Sequence, residues 1–134
     1  MNAIFADTSY YLALLSANDE HHQKAVELSI QLRRPIVVSE FVLLETGNSL
    51  SSAKERRLFV ELLPHLRADP ATQIMPASSE LFQTGYELYW RRADKDWSMT
   101  DCTSFVVMEE LGLREALTTD HQFEKAGFAA LLRS

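Results

Sequence analysis

The chain has 134 residues and carries 13 Lys and Arg against 19 Asp and Glu, a formal charge of −6. That balance excludes a histone-like protein held to nucleic acid by bulk charge, and 46% hydrophobic residues with only 4 Gly and 4 Pro exclude a disordered or low-complexity chain. The length suits a single domain over residues 1–134, which at about this size buries roughly two-thirds of its unfolded surface and needs no covalent staple.

The N-terminus has no basic leader, and the longest apolar run, Tyr10 to Leu15, is too short for a bilayer, so a soluble cytoplasmic protein without membrane contact is expected. Ile4-Phe5-Ala6 reads as a short strand that stops at Asp7-Thr8-Ser9, residues able to cap a helix starting near Tyr10. Ala25, Leu28 and Leu32 recur at helical spacing within Glu20 to Arg34, and Pro35 ends that helix before the β-branched run Ile36-Val37-Val38. Ser39 can cap a third helix over Glu40 to Ser51, and Leu58, Phe59, Leu62 and Leu66 mark a fourth before Pro70. Gln73-Ile74-Met75 fits a third strand. Leu81, Phe82, Gly85, Leu88 and Tyr89 keep a helical rhythm to about Arg92, followed by a polar loop from Ala93 to Trp97. Asp101, Ser104, Phe105, Met108 and Leu111 share one face of the next helix. Cys102, in that helix, is the single cysteine, which removes any intrachain disulfide or Cys-rich zinc site and fits a reducing compartment. Glu115 to Thr118 is a weak fourth strand, Gln122 to Lys125 a helical turn, and Gly127 to Leu132 a possible edge strand. Short strands alternating with longer helices imply an α/β fold whose central, mainly parallel sheet has four to five strands, with helices on both faces.

In open parallel sheets, sites form beyond the carboxyl ends of the strands. Asp7 and Asp120 both directly follow predicted strands, although either position also suits a helix cap. Asp101 is placed to complete a Ser98-x-x-Asp101 capping box, yet its neighbours one and two turns on, Ser104, Phe105 and Met108, lie on the face turned to the core. Glu45 follows Phe41 and Val42 by one turn. A lone acid on such a face is expensive unless a Lys, an Arg or something else compensates it. Glu40 competes for that role, but five residues rotate a helix by about 140°; Glu40 lies in the first turn, where its charge suits the helix dipole. Four acids converging without cations repel, and a divalent ion removes the conflict. Hard oxygen donors with no cysteine or clustered histidine suit Mg²⁺ or Mn²⁺, and a site that keeps open positions for water and phosphate oxygens points to phosphodiester hydrolysis.

Four segments carry a family resemblance: Asp7-Thr8-Ser9, the run from Ser39 to Thr46, the run from Asp96 to Cys102, and Thr118 to Phe123 with Gly127-Phe128. In that order they resemble PIN-domain nucleases, and in particular the VapC-type toxins of bacterial toxin–antitoxin pairs. The resemblance implies a three-layer α/β/α sandwich and an Mg²⁺- or Mn²⁺-dependent endoribonuclease. It also implies a homodimer inhibited by a cognate antitoxin that covers the site. Carried across residue by residue, the metal-binding and catalytic acids are Asp7, Glu45, Asp101 and Asp120. Thr8, Ser9, Thr118 and Thr119 match the hydroxyls that support those acids or the attacking water, with helix capping as the alternative role for Ser9. His121 departs from the pattern of many relatives and reads as a surface side chain, and His21-His22 as solvated.

Eight of the 13 basic residues fall into three clusters: Arg33-Arg34, Lys54 with Arg56-Arg57, and Arg91-Arg92 with Lys95. Phosphate contacts need local positive charge and not a positive protein. The first cluster reads as a solvated helix end. Arg56, Arg57, Arg91, Arg92 and Lys95 are the candidate RNA contacts, and Trp97 or Tyr10 could stack on an extruded base. A catalytically silent binding module and a free-standing RNA-processing nuclease are the alternative functions. A receiver domain would need paired acids after the first strand and a Lys after a late one. A haloacid-dehalogenase-like phosphatase would need Asp-x-Asp where Asp7-Thr8-Ser9 stands, so neither fits.

Overall fold

The structure is a computed structural model and describes residues 2–134. Five strands, β1 (Ile4–Ala6), β2 (Ile36–Ser39), β3 (Thr72–Met75), β4 (Glu115–Leu117) and β5 (Ala129–Ala130), form one sheet in the order β3-β2-β1-β4-β5. Every pairing is parallel. The connecting helices among the described residues are α1 (Thr8–Leu15), α2 (His22–Gln31), α3 (Glu40–Ser49), α4 (Arg56–Ala68), α5 (Ser79–Arg91), α6 (Met99–Leu111) and α7 (His121–Lys125). β1 is the central strand, and Ile4, Phe5 and Ala6 are all fully buried, so helices cover both faces of the sheet. This is the expected α/β arrangement, with the strand count at its upper end.

The chain builds outward from β1 to β2 and β3, then crosses to the other side of β1 to lay down β4 and β5. The reversal falls between β1 and β4, which is where open α/β sheets form a crevice beyond the strand ends. Ala6 pairs with Leu117, and the Asp7 amide donates to the Leu117 carbonyl at 3.1 Å, so the ladder continues one residue past β1. Asp7 and Thr118 are therefore neighbours across the switch point, although 111 positions separate them.

Several boundaries differ from the sequence reading for identifiable reasons. α1 starts at Thr8 and not near Tyr10, because Asp7 itself is the extended residue before the helix. α4, by contrast, runs through Pro64 as the spacing of Leu58 to Leu66 predicts; the carbonyl that the proline ring cannot engage belongs to Val60, an exposed residue whose oxygen water can satisfy. Leu111, expected on the core face of α6, is exposed, since the last turn passes the core before Gly112 closes the helix in the left-handed region. The expected edge strand over Gly127 to Leu132 shrinks to the two residues of β5. The chain then curls into a 3-10 turn (Leu131–Arg133), and the Leu132 amide bonds to the Thr118 carbonyl at 3.2 Å.

α5 and α6 cross closely at Gly85, where an added Cβ would stand 2.7 Å from Thr103 Cγ2. Under the loop that enters α6, Phe105 packs against Trp97, Phe123 and Phe128 with ring centroids 5.0, 4.9 and 5.7 Å away. That cluster anchors both Ser98-Asp101 and the α7 corner to the core. Among the described residues no helix is long and apolar enough to cross a membrane.

Candidate active site

Asp7, Glu45, Asp101 and Asp120 come from four separate elements and line one open cleft of about 470 Å³ at the carboxyl edge of the sheet. Asp7 is 5% exposed and stands at the cap position of α1, but its side chain caps nothing. Its Oδ2 instead accepts from the hydroxyls of Thr118 at 2.8 Å and Ser9 at 3.0 Å. Those hydroxyls are themselves held: the Asp120 amide donates to Thr118 Oγ1 at 3.0 Å and the Thr119 amide to Ser9 Oγ at 2.9 Å. Each hydroxyl thus has its proton directed at Asp7, and among the described residues no other side chain reaches Oδ1. Burial drives the Asp7 carboxyl above its ordinary range; the Thr118 and Ser9 hydroxyls and the Thr8 amide oppose this, and the charge of Glu45 adds to it.

Asp101 combines two roles that sequence could only weigh against each other. The capping box is present, with the Asp101 amide donating to Ser98 Oγ at 3.0 Å and the Ser98 amide to Asp101 Oδ2 at 3.1 Å. The same carboxylate faces the cleft. Burial pushes it up to about 7, against the Ser98 amide and with the charges of Asp7, Asp120 and Glu45 adding to the rise. Asp120 does cap its helix, accepting from the Gln122 amide at 2.9 Å through Oδ1. Glu45 is half-buried, and among the described residues no Lys or Arg pairs with it, which removes the ion-pair alternative. Glu40 is occupied elsewhere: its Oε1 accepts from the Ala77 amide at 2.7 Å and ties the start of α3 to the β3–α5 connection.

Of the predicted supporting hydroxyls, Ser9 and Thr118 touch Asp7. Thr8 Oγ1 instead donates to the Val42 carbonyl at 3.4 Å, a link between α1 and α3, and Thr119 lines the cleft. His121 lines it too, half in solvent, with Nδ1 3.8 Å from Asp120 Oδ1. Leu12, not singled out by sequence, and Ser98, read there as the capping partner of Asp101, complete the wall. Burial pushes the Cys102 thiol up to about 11, so it stays protonated beside the site.

The predicted RNA contacts lie elsewhere. Arg91 and Arg92 line a separate cleft of about 440 Å³ between α5 and α6, and Arg92 is committed to Asp94 at 3.0 Å and to the Trp97 ring at 5.2 Å. Lys95 lies in a recess that adjoins the acidic cleft through Ser98. Arg56 and Arg57 are exposed at the start of α4, outside the cleft, with Arg56 bonded to the Ser51 carbonyl at 3.0 Å. The stacking expectation is corrected outright. Trp97 and Tyr10 are 7% and 3% exposed, packed against Phe105 and Tyr11 respectively, and present no free ring face. The sequence reading missed Arg133, whose Nη1 donates to the carbonyl of the cleft-lining Thr119 at 3.3 Å. Nothing local signalled it, because its position depends on the C-terminal turn folding back onto Thr118.

Among the described residues no three His, Cys, Asp or Glu side chains are drawn together as a ready-made metal cage. The four acids surround a shared space without converging, as bare like charges do, and the charges of Asp7, Asp120 and Glu45 add to the rise that burial causes at Asp101. That arrangement fits a hydrated divalent ion held by one or two carboxylates and completed by water and phosphate oxygens, and does not fit a dehydrated all-protein site. A buried carboxylate with two hydroxyls on one oxygen and no cationic partner is the clearest sign of an unmet demand for positive charge.

Comparison with known proteins agrees with this geometry. The PIN domain model matches residues 4–129. The 23S rRNA-specific endonuclease VapC20 of Mycobacterium tuberculosis is 30% identical over 125 residues, which make up 93% of this chain and 95% of that protein. The crystal structure of Mycobacterium tuberculosis VapC20, described as a Sarcin-Ricin loop cleaving toxin, superposes with a TM-score of 0.86 at 29% identity, covering 94% of this chain and 96% of the other. VapBC2 from Rickettsia felis, crystallised bound to a DNA fragment from its promoter, aligns with a TM-score of 0.65 at 14% identity over 96% of both chains, a likeness of fold alone. PIN-domain nucleases of the VapC type are generally metal-dependent. With acids gathered at the switch point of a five-stranded parallel sheet and a family model spanning nearly its whole length, the chain belongs to the PIN-domain family, as a homologue of the VapC-type ribonuclease toxins.

Proposed function

We propose that the protein is an endoribonuclease that hydrolyses RNA phosphodiester bonds with Mg²⁺ or Mn²⁺ held at Asp7, Glu45, Asp101 and Asp120. The observation that carries this is the buried Asp7 carboxylate, fixed through Oδ2 by Thr118 and Ser9 and facing three further acids across one cleft. A divalent ion bound there supplies a nucleophilic water at neutral pH and offsets the charge that builds on the phosphate. The chain's own residues do the rest. Thr118 and Ser9 hold Asp7 in one orientation, Ser98 fixes one oxygen of Asp101, and the Gln122 amide fixes one oxygen of Asp120. With each acid held through one oxygen, the other stays available to the metal or to the attacking water.

The partners follow from the relatives. The homology to VapC-type toxins supports a cognate antitoxin that occludes the cleft. Its assembly as a homodimer is supported by an exposed apolar face on α5 (Phe82, Tyr86, Tyr89 and Trp90), joined to α3 by the Phe41 and Phe82 rings 6.4 Å apart. VapC20 acts on 23S rRNA, which makes ribosomal RNA the first substrate to assay.

Purified protein should cleave RNA with Mg²⁺ or Mn²⁺ and not in chelator. Asp7→Asn and Asp101→Asn should each lower the rate by about a hundredfold or more with the fold intact by circular dichroism. A double variant that cut as fast as the parent would overturn the metal-nuclease assignment, and a parent that cut no RNA with either ion would favour the silent-module alternative.

A further inference from the structure

A ribonuclease cleft walled by acids has to accept a polyanion, and among the described residues no Lys or Arg lines it. Among the described residues the guanidinium hydrogen-bonded to a cleft-lining residue is that of Arg133, in the 3-10 turn after β5. Its Nε donates to Glu124 Oε1 at 2.9 Å and its Nη1 to the Thr119 carbonyl at 3.3 Å. The Leu132 amide, bonded to the Thr118 carbonyl at 3.2 Å, pins the turn against the same corner. Two partners on two edges fix the plane of the guanidinium beside the segment that presents Asp120. The remaining donors, on Nη2 and the second Nη1 hydrogen, have no partner among the described residues, and the side chain is 41% exposed.

We propose that Arg133 is a substrate-binding residue that takes a phosphate of the RNA strand flanking the one positioned for hydrolysis. The proposal rests on the ribonuclease reading of the cleft. A planar cation with donors still free on Nη1 and Nη2 suits phosphate oxygens, and its orientation is set before the strand arrives. Its place on the rim is also the one compatible with a metal site. A guanidinium in salt-bridge contact with Asp7 or Asp101 would compete with the divalent ion for those carboxylates, whereas Arg133 pairs only with Glu124, on the outer side of α7.

The test is binding of a labelled single-stranded oligoribonucleotide to the Asp7→Asn protein over a range of salt concentrations at fixed Mg²⁺. Adding Arg133→Gln should weaken binding about three- to tenfold and reduce the slope of log affinity against log salt by about 0.7, the value for one phosphate contact to a single strand. Arg133→Lys should keep the slope and recover only part of the affinity, because it retains charge without the fork. Arg114→Gln, at the far end of β4, should leave both unchanged. In the active enzyme Arg133→Gln should raise KM by the same factor with kcat within about twofold. Parental affinity and slope in Arg133→Gln, or an equal fall in slope in Arg114→Gln, would overturn the assignment while leaving the nuclease reading standing. Failure of the Asp7→Asn protein to bind RNA at any salt would overturn both.

Discussion

Asp7 and Asp120 occupy equivalent places, each at the cap position of the helix after a strand, yet only Asp120 caps the helix that follows. Asp7 is diverted from that role by Thr118, whose hydroxyl bids for its carboxylate across the sheet. No local pattern distinguishes the two, because the deciding partner is remote in sequence. Asp101 shows the converse: the capping box and the cleft use opposite sides of one carboxylate, so a correct structural reading of Ser98-x-x-Asp101 did not compete with the functional one. Thr118 is then the most informative residue to change. Thr118→Val keeps the buried shape but removes the hydroxyl that opposes burial at Asp7 and accepts from the Asp120 amide. Leaving that amide without its partner costs about 1–3 kcal/mol of stability. Asp7 should hold its proton to higher pH, so the alkaline-going rise of activity moves upward, and the affinity for Mg²⁺ or Mn²⁺ should fall about 10–100-fold. Metal titrations of cleavage at several pH values measure both. A parental metal dependence and pH profile would mean that Thr118 serves folding alone.

Elements were readable where local chemistry settles them. Pro35 before Ile36-Val37-Val38, Ser39 as a cap, and the buried run of β1 all fall where the sequence places them, because each depends on residues a few positions apart. The C-terminal turn did not, since the contact of Leu132 with Thr118 is a tertiary fact. α5 is the instructive case. Its helical rhythm is real, but the apolar positions divide between two faces. Gly85 with Leu81 and Leu88 packs inward, against α6 at Gly85, while Phe82, Tyr86, Tyr89 and Trp90 point outward, with Trp90 62% exposed. Periodicity therefore located the helix and could not say that one of its two apolar faces stays exposed. If that face is the homodimer contact, Phe82→Asp with Trp90→Asp should convert a dimer to a monomer in sedimentation equilibrium and leave the melting temperature of the protomer little changed. A parent that sediments as a monomer at micromolar concentration would assign the face to another partner.

For the whole molecule, the acidic balance that first argued against nucleic acid is largely local. Setting aside the four cleft acids leaves 15 Asp and Glu against 13 Lys and Arg, so the rest of the chain is close to neutral and the excess is stored as repulsion at the switch point. Sequence order supplied those acids, but the strand order that makes β1 and β4 neighbours supplied the cleft. Burial of Asp7 and Asp101, with that repulsion adding to it, gives the metal-free protein a pH dependence whose direction is fixed. Asp101 titrates at about 7 in the fold and Asp7 is also displaced upward, while both start from 3.8. Between these values the folded state binds more protons than the unfolded chain, so this contribution to stability is full below about 4 and is lost as pH rises through about 7. In chelator the melting temperature should therefore fall by several degrees from pH 6 to pH 8, and excess Mg²⁺ or Mn²⁺ at pH 8 should restore it. Glu45→Gln removes one repelling charge, so at pH 8 in chelator it should melt above the parent, yet gain less when metal is added. A Glu45→Gln protein that melts at or below the parent in chelator would show that Glu45 shares no field with Asp7 and Asp101, and would remove it from the metal set.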